Sequence, residues 1–253
     1  MLYILPILFA LVAWLYAMAG FGGGSTYIAL LAVSGLPLAV VPTVSLLCNV
    51  IVSSQGSFLL LKGGHAKWAI LAPLLIGSIP CAYLGGRWRL PEELFIALLA
   101  GALTIASLAM FAQNTLCKEQ PYNHKQPHAV VLAVVGALLG AVAGITGIGG
   151  GIYLAPVMHL CRWADGRTVA ACTSLFIALN SIAGLAGQLS KAGDLVGQVP
   201  TWLLVACPIA VLIGGRFGSG MLTNNLPQEK VRGITAAVIL LVAVRLWLKV
   251  FGY

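Results

Sequence analysis

Two triple glycines interrupt this chain inside segments that are otherwise almost wholly apolar. The first follows Ala19-Gly20-Phe21 as Gly22-Gly23-Gly24, and the second ends the run Ala143 to Gly151 as Gly149-Gly150-Gly151. Glycine permits backbone conformations that other residues avoid and weakens a helix, so neither stretch is expected to form a plain helix. The triplets lie 127 positions apart in a chain of 253 residues, which is half its length. We therefore predict a duplicated unit with one glycine-broken helix in each copy.

The composition excludes a soluble domain. Hydrophobic residues make up 60% of the chain and charged residues only 8%, whereas a soluble domain has roughly 25% charged residues. Runs near the ~20 apolar residues that cross a bilayer as a helix recur along the sequence, without the alternating pattern of a β-barrel. We predict an all-α integral membrane protein of about eight hydrophobic segments. They form two homologous four-segment repeats, and the first segment of each repeat is broken at the glycine-rich stretch.

Polar residues between the apolar runs keep nearly one register in the two halves. Lys191 follows Lys62 by 129 positions, and Gly214-Gly215-Arg216 follows Gly85-Gly86-Arg87 by the same offset. The longest polar segment separates the halves, which predicts a first repeat at 1–113, a connecting loop at 114–128 and a second repeat at 129–253. The repeats are parallel if every segment crosses the membrane and inverted if each broken segment is re-entrant. Length alone does not decide between them.

The glycine breaks are the predicted binding site. A broken helix leaves backbone N–H groups unpaired in hydrocarbon, which costs several kcal/mol per group unless protein, water or ligand satisfies them. A helix N-terminus also attracts an anion through its partial positive charge. The glycines expected to bind substrate are Gly22, Gly23, Gly24, Gly149, Gly150 and Gly151. The alternative is that glycines only permit close helix packing, which we favour for Gly85, Gly86, Gly214 and Gly215.

The spans that follow the breaks carry polar side chains. They are Thr43, Ser45, Asn49, Ser53 and Gln55 in one half and Thr173, Ser174, Asn180, Ser181 and Gln188 in the other. Six of them are predicted to complete the substrate shell: Thr43, Ser45, Asn49, Thr173, Ser174 and Asn180. Ser45 and Asn49 lie one helical turn apart and share a face. Hydrogen bonds between helices are the alternative role for these side chains.

Charged and reactive residues fall mostly between the predicted spans. Four cations at predicted span ends are candidates for attracting anions, against a default of snorkelling to lipid headgroups: Lys62, Arg87, Lys191 and Arg216. The carboxylates avoid the spans, so coupling is expected either to reside in the substrate's own protonation or to be lacking altogether. No H-E-x-x-H, G-x-S-x-G or C-x-x-C motif is present, which argues against an enzyme, a cofactor and a metal site. The net charge of +8 suits lipid headgroups, and no nucleic-acid partner is predicted.

Several features together resemble the sulfite exporter TauE/SafE family. They are the duplicated layout, the GIGGG-x4-P element at Gly147 to Pro156, the Thr-Ser-Leu-Phe sequence at Thr173 to Phe176, and the Gly-Gly-Arg ends. The resemblance covers nearly the whole chain and implies a multi-pass carrier of the cell inner membrane for sulfur-containing anions such as sulfite or organosulfonates. The first copy departs from the pattern, since Ala29 stands where the second copy has Pro156.

The resemblance implies a secondary transporter, either an exporter or a facilitator. Its expected partners are a small anionic substrate and membrane lipids, and a homo-oligomer is left open. Access would alternate as one repeat rocks against the other. The alternatives are a non-transporting membrane assembly subunit and a membrane-embedded enzyme.

Overall fold

The computed structural model describes residues 2–18, 20–88, 90–116, 127–192 and 199–222, and single positions between 236 and 250. The helices are α1 (Leu5–Ala17, after a 3-10 turn at Leu2–Ile4), α2 (Gly24–Val33), α3 (Val41–Lys62), α4 (Trp68–Arg87), α5 (Glu92–Leu116), α6 (Ala129–Thr146), α7 (Gly151–Leu160), α8 (Gly166–Ala192) and α9 (Thr201–Leu222). Helices α3, α4, α5, α6, α8 and α9 are long and apolar enough to cross a membrane. The all-α prediction is confirmed for the described residues.

Helix α5 extends to Leu116, and the division of the chain into repeats at 113 stays a prediction. One predicted span end is wrong. Helix α9 continues to Leu222, so Arg216 does not end its span. The helix goes on because Gly218, in the next turn, packs against the Trp14 carbonyl oxygen of α1. The rest of the predicted loop, at 117–126, lies outside the described residues, and so does most of the predicted second repeat after 222.

Helices α4 and α6 run parallel in close backbone contact. Gly136, Gly140 and Gly144 are spaced four residues apart along α6, which is the small-residue spacing of packed membrane helices. A Cβ atom at Gly136 would meet the carbonyl oxygen of Leu74, and one at Gly144 that of Ala82. Residues further along α6 contact residues further along α4, so the two helices are parallel.

Helices α1 and α9 repeat this arrangement. A Cβ at Gly214 would meet the Ala10 carbonyl oxygen, and Tyr3 stacks on Trp202 with ring centroids 5.1 Å apart. Residues further along α9 again contact residues further along α1, so α1 and α9 are also parallel. The packing role favoured for Gly214 is therefore confirmed, as it is for Gly85, which meets the Ala141 carbonyl oxygen.

Helices α3 and α8, which follow the two breaks, cross in opposite directions. The Ser174 hydroxyl donates to the Ser53 carbonyl oxygen at 3.2 Å, and a Cβ at Gly184 would lie 3.4 Å from Leu46 Cδ1. Residues further along α8 contact residues earlier in α3, so the two helices are antiparallel. Because α3 and α8 correspond in the repeat scheme, their opposite directions are those of inverted repeats. The division into repeats itself stays a prediction.

The first glycine break is the tip of a hairpin. Tyr16 OH, near the end of α1, lies 2.6 Å from Thr26 Oγ1 in the first turn of α2. Phe9, two turns earlier in α1, stacks on Tyr27 with ring centroids 4.5 Å apart. Helix α2 thus turns back along α1. Its 10 residues span about 15 Å, about half the thickness of the bilayer core.

Candidate functional site

The two glycine breaks meet at one side chain of α3, Asn49. Its Nδ2 donates a 2.7 Å hydrogen bond to the Ile148 carbonyl oxygen in the second break. A Cβ at Gly22 would collide with Asn49 Oδ1, and a Cβ at Gly149 would lie 2.6 Å from Asn49 Nδ2. Asn49 has no exposed surface. A buried amide from the first half is therefore held between the breaks of both halves.

Ser45, one turn before Asn49, also joins the two breaks. Its Oγ lies 3.1 Å from the Gly24 carbonyl oxygen and 3.1 Å from the Gly147 carbonyl oxygen. The hydroxyl has one proton, so these two acceptors share it. The face that Ser45 and Asn49 share is thus turned toward the breaks, and it joins the two breaks to each other.

Helices α2 and α7 both begin at the breaks without a side-chain cap. Their N-cap residues, Gly23 with φ +87° and Gly150 with φ +79°, are left-handed, a conformation that strains any residue with a Cβ. No carbonyl oxygen of the described residues accepts a hydrogen bond from the first two N–H groups of either helix, those of Gly24, Ser25, Gly151 and Ile152. Two partial positive ends therefore converge on the same buried place.

Helix α8 contributes Ser181 to the site. A Cβ at Gly149 would lie 2.6 Å from Ser181 Oγ, and this buried hydroxyl has no hydrogen-bond partner among the described residues. Asn180, the predicted α8 residue, instead donates to the Phe176 carbonyl oxygen of its own helix at 2.8 Å. The sequence placed Ser181 in the polar set without selecting it, because the angle at which α8 crosses α3 decides which neighbour faces the breaks.

The hydroxyls of Thr173 and Ser174 donate to carbonyl oxygens outside the breaks. Thr173 Oγ1 donates to the Val169 carbonyl oxygen of its own helix at 2.8 Å. Ser174 donates to the Ser53 carbonyl oxygen across the α3–α8 contact. Only the Ser174 bond is of the kind between helices that the sequence analysis gave as the alternative. Thr43 is half-buried and lines a cavity.

That cavity, of about 380 Å³, lies beside the second break. Pro42, Thr43, Gln188 and Lys191 are among the residues that line it. Pro42 also touches the break, since a Cβ at Gly147 would lie 2.6 Å from Pro42 Cβ. The cavity therefore lies between a lysine at the end of α8 and Pro42, which touches the second break.

The four predicted cations form pairs near opposite ends of the bundle. Lys191 Nζ donates to the Trp88 carbonyl oxygen at 2.8 Å, which places it beside Arg87, at the end where the cavity lies. Lys62 ends α3 at the other end, because α3 runs opposite to α8. Arg216 belongs to that end too, since its neighbour Gly215 lies against Gln55 in the second half of α3. Of these four predicted cations, one lysine and one arginine thus lie toward each end.

The start of α2 carries a buried hydroxyl cluster that the sequence analysis missed. Tyr16 OH lies 2.6 Å from Thr26 Oγ1 and 3.3 Å from Ser25 Oγ. At the start of α7 the corresponding positions are Ile152 and Tyr153, so only the first break has adjacent Ser and Thr hydroxyls. The available signal was the Ser-Thr pair directly after the first triple glycine. The two halves therefore contribute different chemistry to the site.

Comparisons with known proteins agree with this architecture. The family model described as sulfite exporter TauE/SafE matches residues 5–246. The probable membrane transporter protein y4hK of Sinorhizobium fredii (strain NBRC 101917 / NGR234) is 34% identical over 245 residues, which cover 96% of each chain. No solved structure matches the chain. With six helices of membrane-spanning length and this relative, the chain is a multi-pass membrane transporter, and it belongs to the sulfite exporter TauE/SafE family.

Proposed function

We propose that the chain is a secondary transporter that carries small sulfur-containing anions, such as sulfite or organosulfonates, across the cell inner membrane. The observation that carries this proposal is the meeting of two uncapped helix starts at Asn49, deep in the bundle. Each helix start contributes about 0.3–2 kcal/mol toward a bound anion. Charge-assisted hydrogen bonds from the N–H groups add to this.

The N–H groups of the breaks bind the oxygens of the anion in this proposal. Ser45 and Asn49 hold the two breaks in position through their bonds to Gly24, Gly147 and Ile148. Ser181 offers a hydroxyl beside Gly149. These contacts are all neutral, which suits a carrier because the anion must leave the site as well as enter it.

The cation pairs have a separate task. Lys191 and Arg87 at one end, and Lys62 and Arg216 toward the other, raise the local concentration of anions at each mouth through their fields. Access alternates as one half rocks against the other. The direction of net flow follows the substrate gradient and any coupled ion.

The test is the flux of labelled sulfite into proteoliposomes that hold the purified protein, with organosulfonates as competitors. Saturable flux above that of empty liposomes, lowered by the competitors, is the expected result. Flux equal to that of empty liposomes under every imposed pH and voltage gradient would overturn the proposal and favour an assembly subunit.

A further inference from the structure

We infer that the site selects an oxyanion that still carries one proton, so that the proton crosses the membrane on the substrate. This inference rests on the proposed function and concerns the same site. It follows from one hydrogen-bond acceptor that the breaks leave unsatisfied, and from the kinds of ionisable group that surround it.

The acceptor is Asn49 Oδ1. It is buried and has no hydrogen-bond partner among the described residues. Its orientation is fixed, because the other atom of the amide, Nδ2, donates to the Ile148 carbonyl oxygen. Oδ1 therefore lies against Gly22 of the first break. An amide oxygen can only accept a hydrogen bond. A buried amide oxygen without a donor lowers the free energy of unfolding.

The site thus combines N–H donors with one fixed acceptor. A fully deprotonated oxyanion has only acceptors, so it satisfies the donors and sets a negative oxygen against Asn49 Oδ1. A singly protonated oxyanion satisfies both the N–H donors and the acceptor. Its charged oxygens accept hydrogen bonds from the N–H groups, and its O–H donates a hydrogen bond to Asn49 Oδ1. Hydrogensulfite in its HO–SO₂⁻ form meets this requirement near neutral pH. Sulfate, which holds no proton there, does not.

The same rule ranks organosulfonates. A sulfonate group carries a single charge but no O–H, so it leaves the acceptor unmet by itself. A sulfonate whose organic part ends in a hydroxyl or ammonium group supplies the missing donor. We therefore expect such sulfonates to compete better than alkyl sulfonates of the same length.

The helices packed around Asn49 bring no carboxylate to it. Their ionisable groups are Tyr16 of α1, Tyr27 of α2, Cys48 and Lys62 of α3, Tyr153 and His159 of α7, Arg167, Cys172 and Lys191 of α8, and Cys207 and Arg216 of α9. The ordinary pKa values of thiols, phenols and the cations lie above about pH 8. His159 is the exception, and it lies eight residues, about 12 Å, along α7 from Gly151.

The experiment measures initial rates of labelled sulfite uptake by proteoliposomes, with equal pH on both sides and the voltage clamped. Between about pH 6 and about pH 8, KM for total sulfite should rise, approaching tenfold per unit above the pKa of hydrogensulfite. KM for hydrogensulfite alone should stay constant, and sulfate should not compete. A KM for total sulfite that is flat or falls with pH overturns the inference while leaving the proposed function standing. Absence of flux rejects the proposed function instead.

Two variants show whether the pH dependence of KM arises at Asn49 or at a titrating side chain. Asn49→Leu removes the acceptor at similar volume, so the ratio of KM at high and low pH should fall toward one and sulfate should begin to compete. His159→Gln removes the remaining histidine of these helices and should keep the parent pH dependence. Loss of that dependence in His159→Gln would assign it to the protein and overturn the inference. If Asn49→Leu does not fold, the pH series and sulfate competition of the parent still decide.

Discussion

A substitution of Gly22 by alanine tests the site directly, because it adds one methyl group beside Asn49. Its φ is not in the left-handed region, so the backbone tolerates alanine. The added Cβ would collide with Asn49 Oδ1 and lie 3.0 Å from Ile177 Cγ2. We expect Gly22→Ala to lower sulfite flux by about tenfold or more, which corresponds to about 1.4 kcal/mol. The flux is measured in proteoliposomes against the amount of folded protein.

Gly101 of α5 provides the matched control. A Cβ there would meet nothing within 4 Å, and alanine is favoured over glycine within a helix by about 0.5–1 kcal/mol. Gly101→Ala should keep the parent flux, with equal or slightly higher thermal stability. An equal loss of flux in both variants would mean that the glycines act through general packing and not through the site.

Single residues of the site were predictable where their spacing within one helix shows that they share a face. Asn49 and Ser45 share a helical face, and the sequence shows that spacing. Ser181 was not selected over Asn180 because both are polar neighbours on one span. Only the crossing of α8 over α3 turns Ser181 toward Gly149.

At the scale of helices, the breaks behave as a coupled pair and not as two independent kinks. Ser45 Oγ is the atom that lies between the Gly24 and Gly147 carbonyl oxygens. Ser45→Ala leaves both buried carbonyls without this donor, so we expect the free energy of unfolding to fall by about 1–3 kcal/mol. Thermal unfolding of the detergent-solubilised protein measures this.

Ser57 is the comparison on the same helix. Its hydroxyl is buried and has no hydrogen-bond partner among the described residues, so Ser57→Ala removes no bond. Its unfolding temperature should stay close to that of the parent. If Ser45→Ala and Ser57→Ala shift the temperature equally, the contact between Ser45 and the breaks does not stabilise the fold.

Helix bounds were largely readable from the sequence, whereas helix directions were not. The sequence predicted Lys62, Arg87 and Lys191 at span ends, and they lie in the last turns of α3, α4 and α8. The directions depend on contacts between residues far apart in the chain, such as Gly136 with Leu74. Small residues in a sequence indicate that a helix packs closely against another helix, but they do not indicate which helix that is. The choice between parallel and inverted repeats therefore needed the structure.

On the scale of the whole molecule, α3 and α8 form a crossing at the centre, with a glycine hairpin tip beside each. Arg87 and Lys191 lie at one end, and Lys62 and Arg216 lie toward the other. The proposed central site takes residues from both predicted halves. In such an arrangement, alternating access requires relative movement between the halves, and the α3–α8 crossing is where that movement can be blocked.

A disulfide across the crossing tests this movement. A Cβ at Gly56 would lie 4.0 Å from Ser174 Cβ, within the about 3.5–4.5 Å between the Cβ atoms of a disulfide. In the double variant Gly56→Cys with Ser174→Cys, oxidation should abolish sulfite flux and reduction should restore it. Both states belong to one protein, so the comparison needs no assumption about the effect of each substitution.

The parent protein under the same oxidant is the control, because it has cysteines of its own, including Cys48 and Cys207 in the bundle. Its flux should not change. If the oxidised double variant transports as fast as the reduced one, α3 and α8 do not move against each other. Transport would then depend on movement of the hairpins against a fixed α3–α8 crossing, and Ser45, which bonds to both hairpin tips, would be the contact that must break in each cycle.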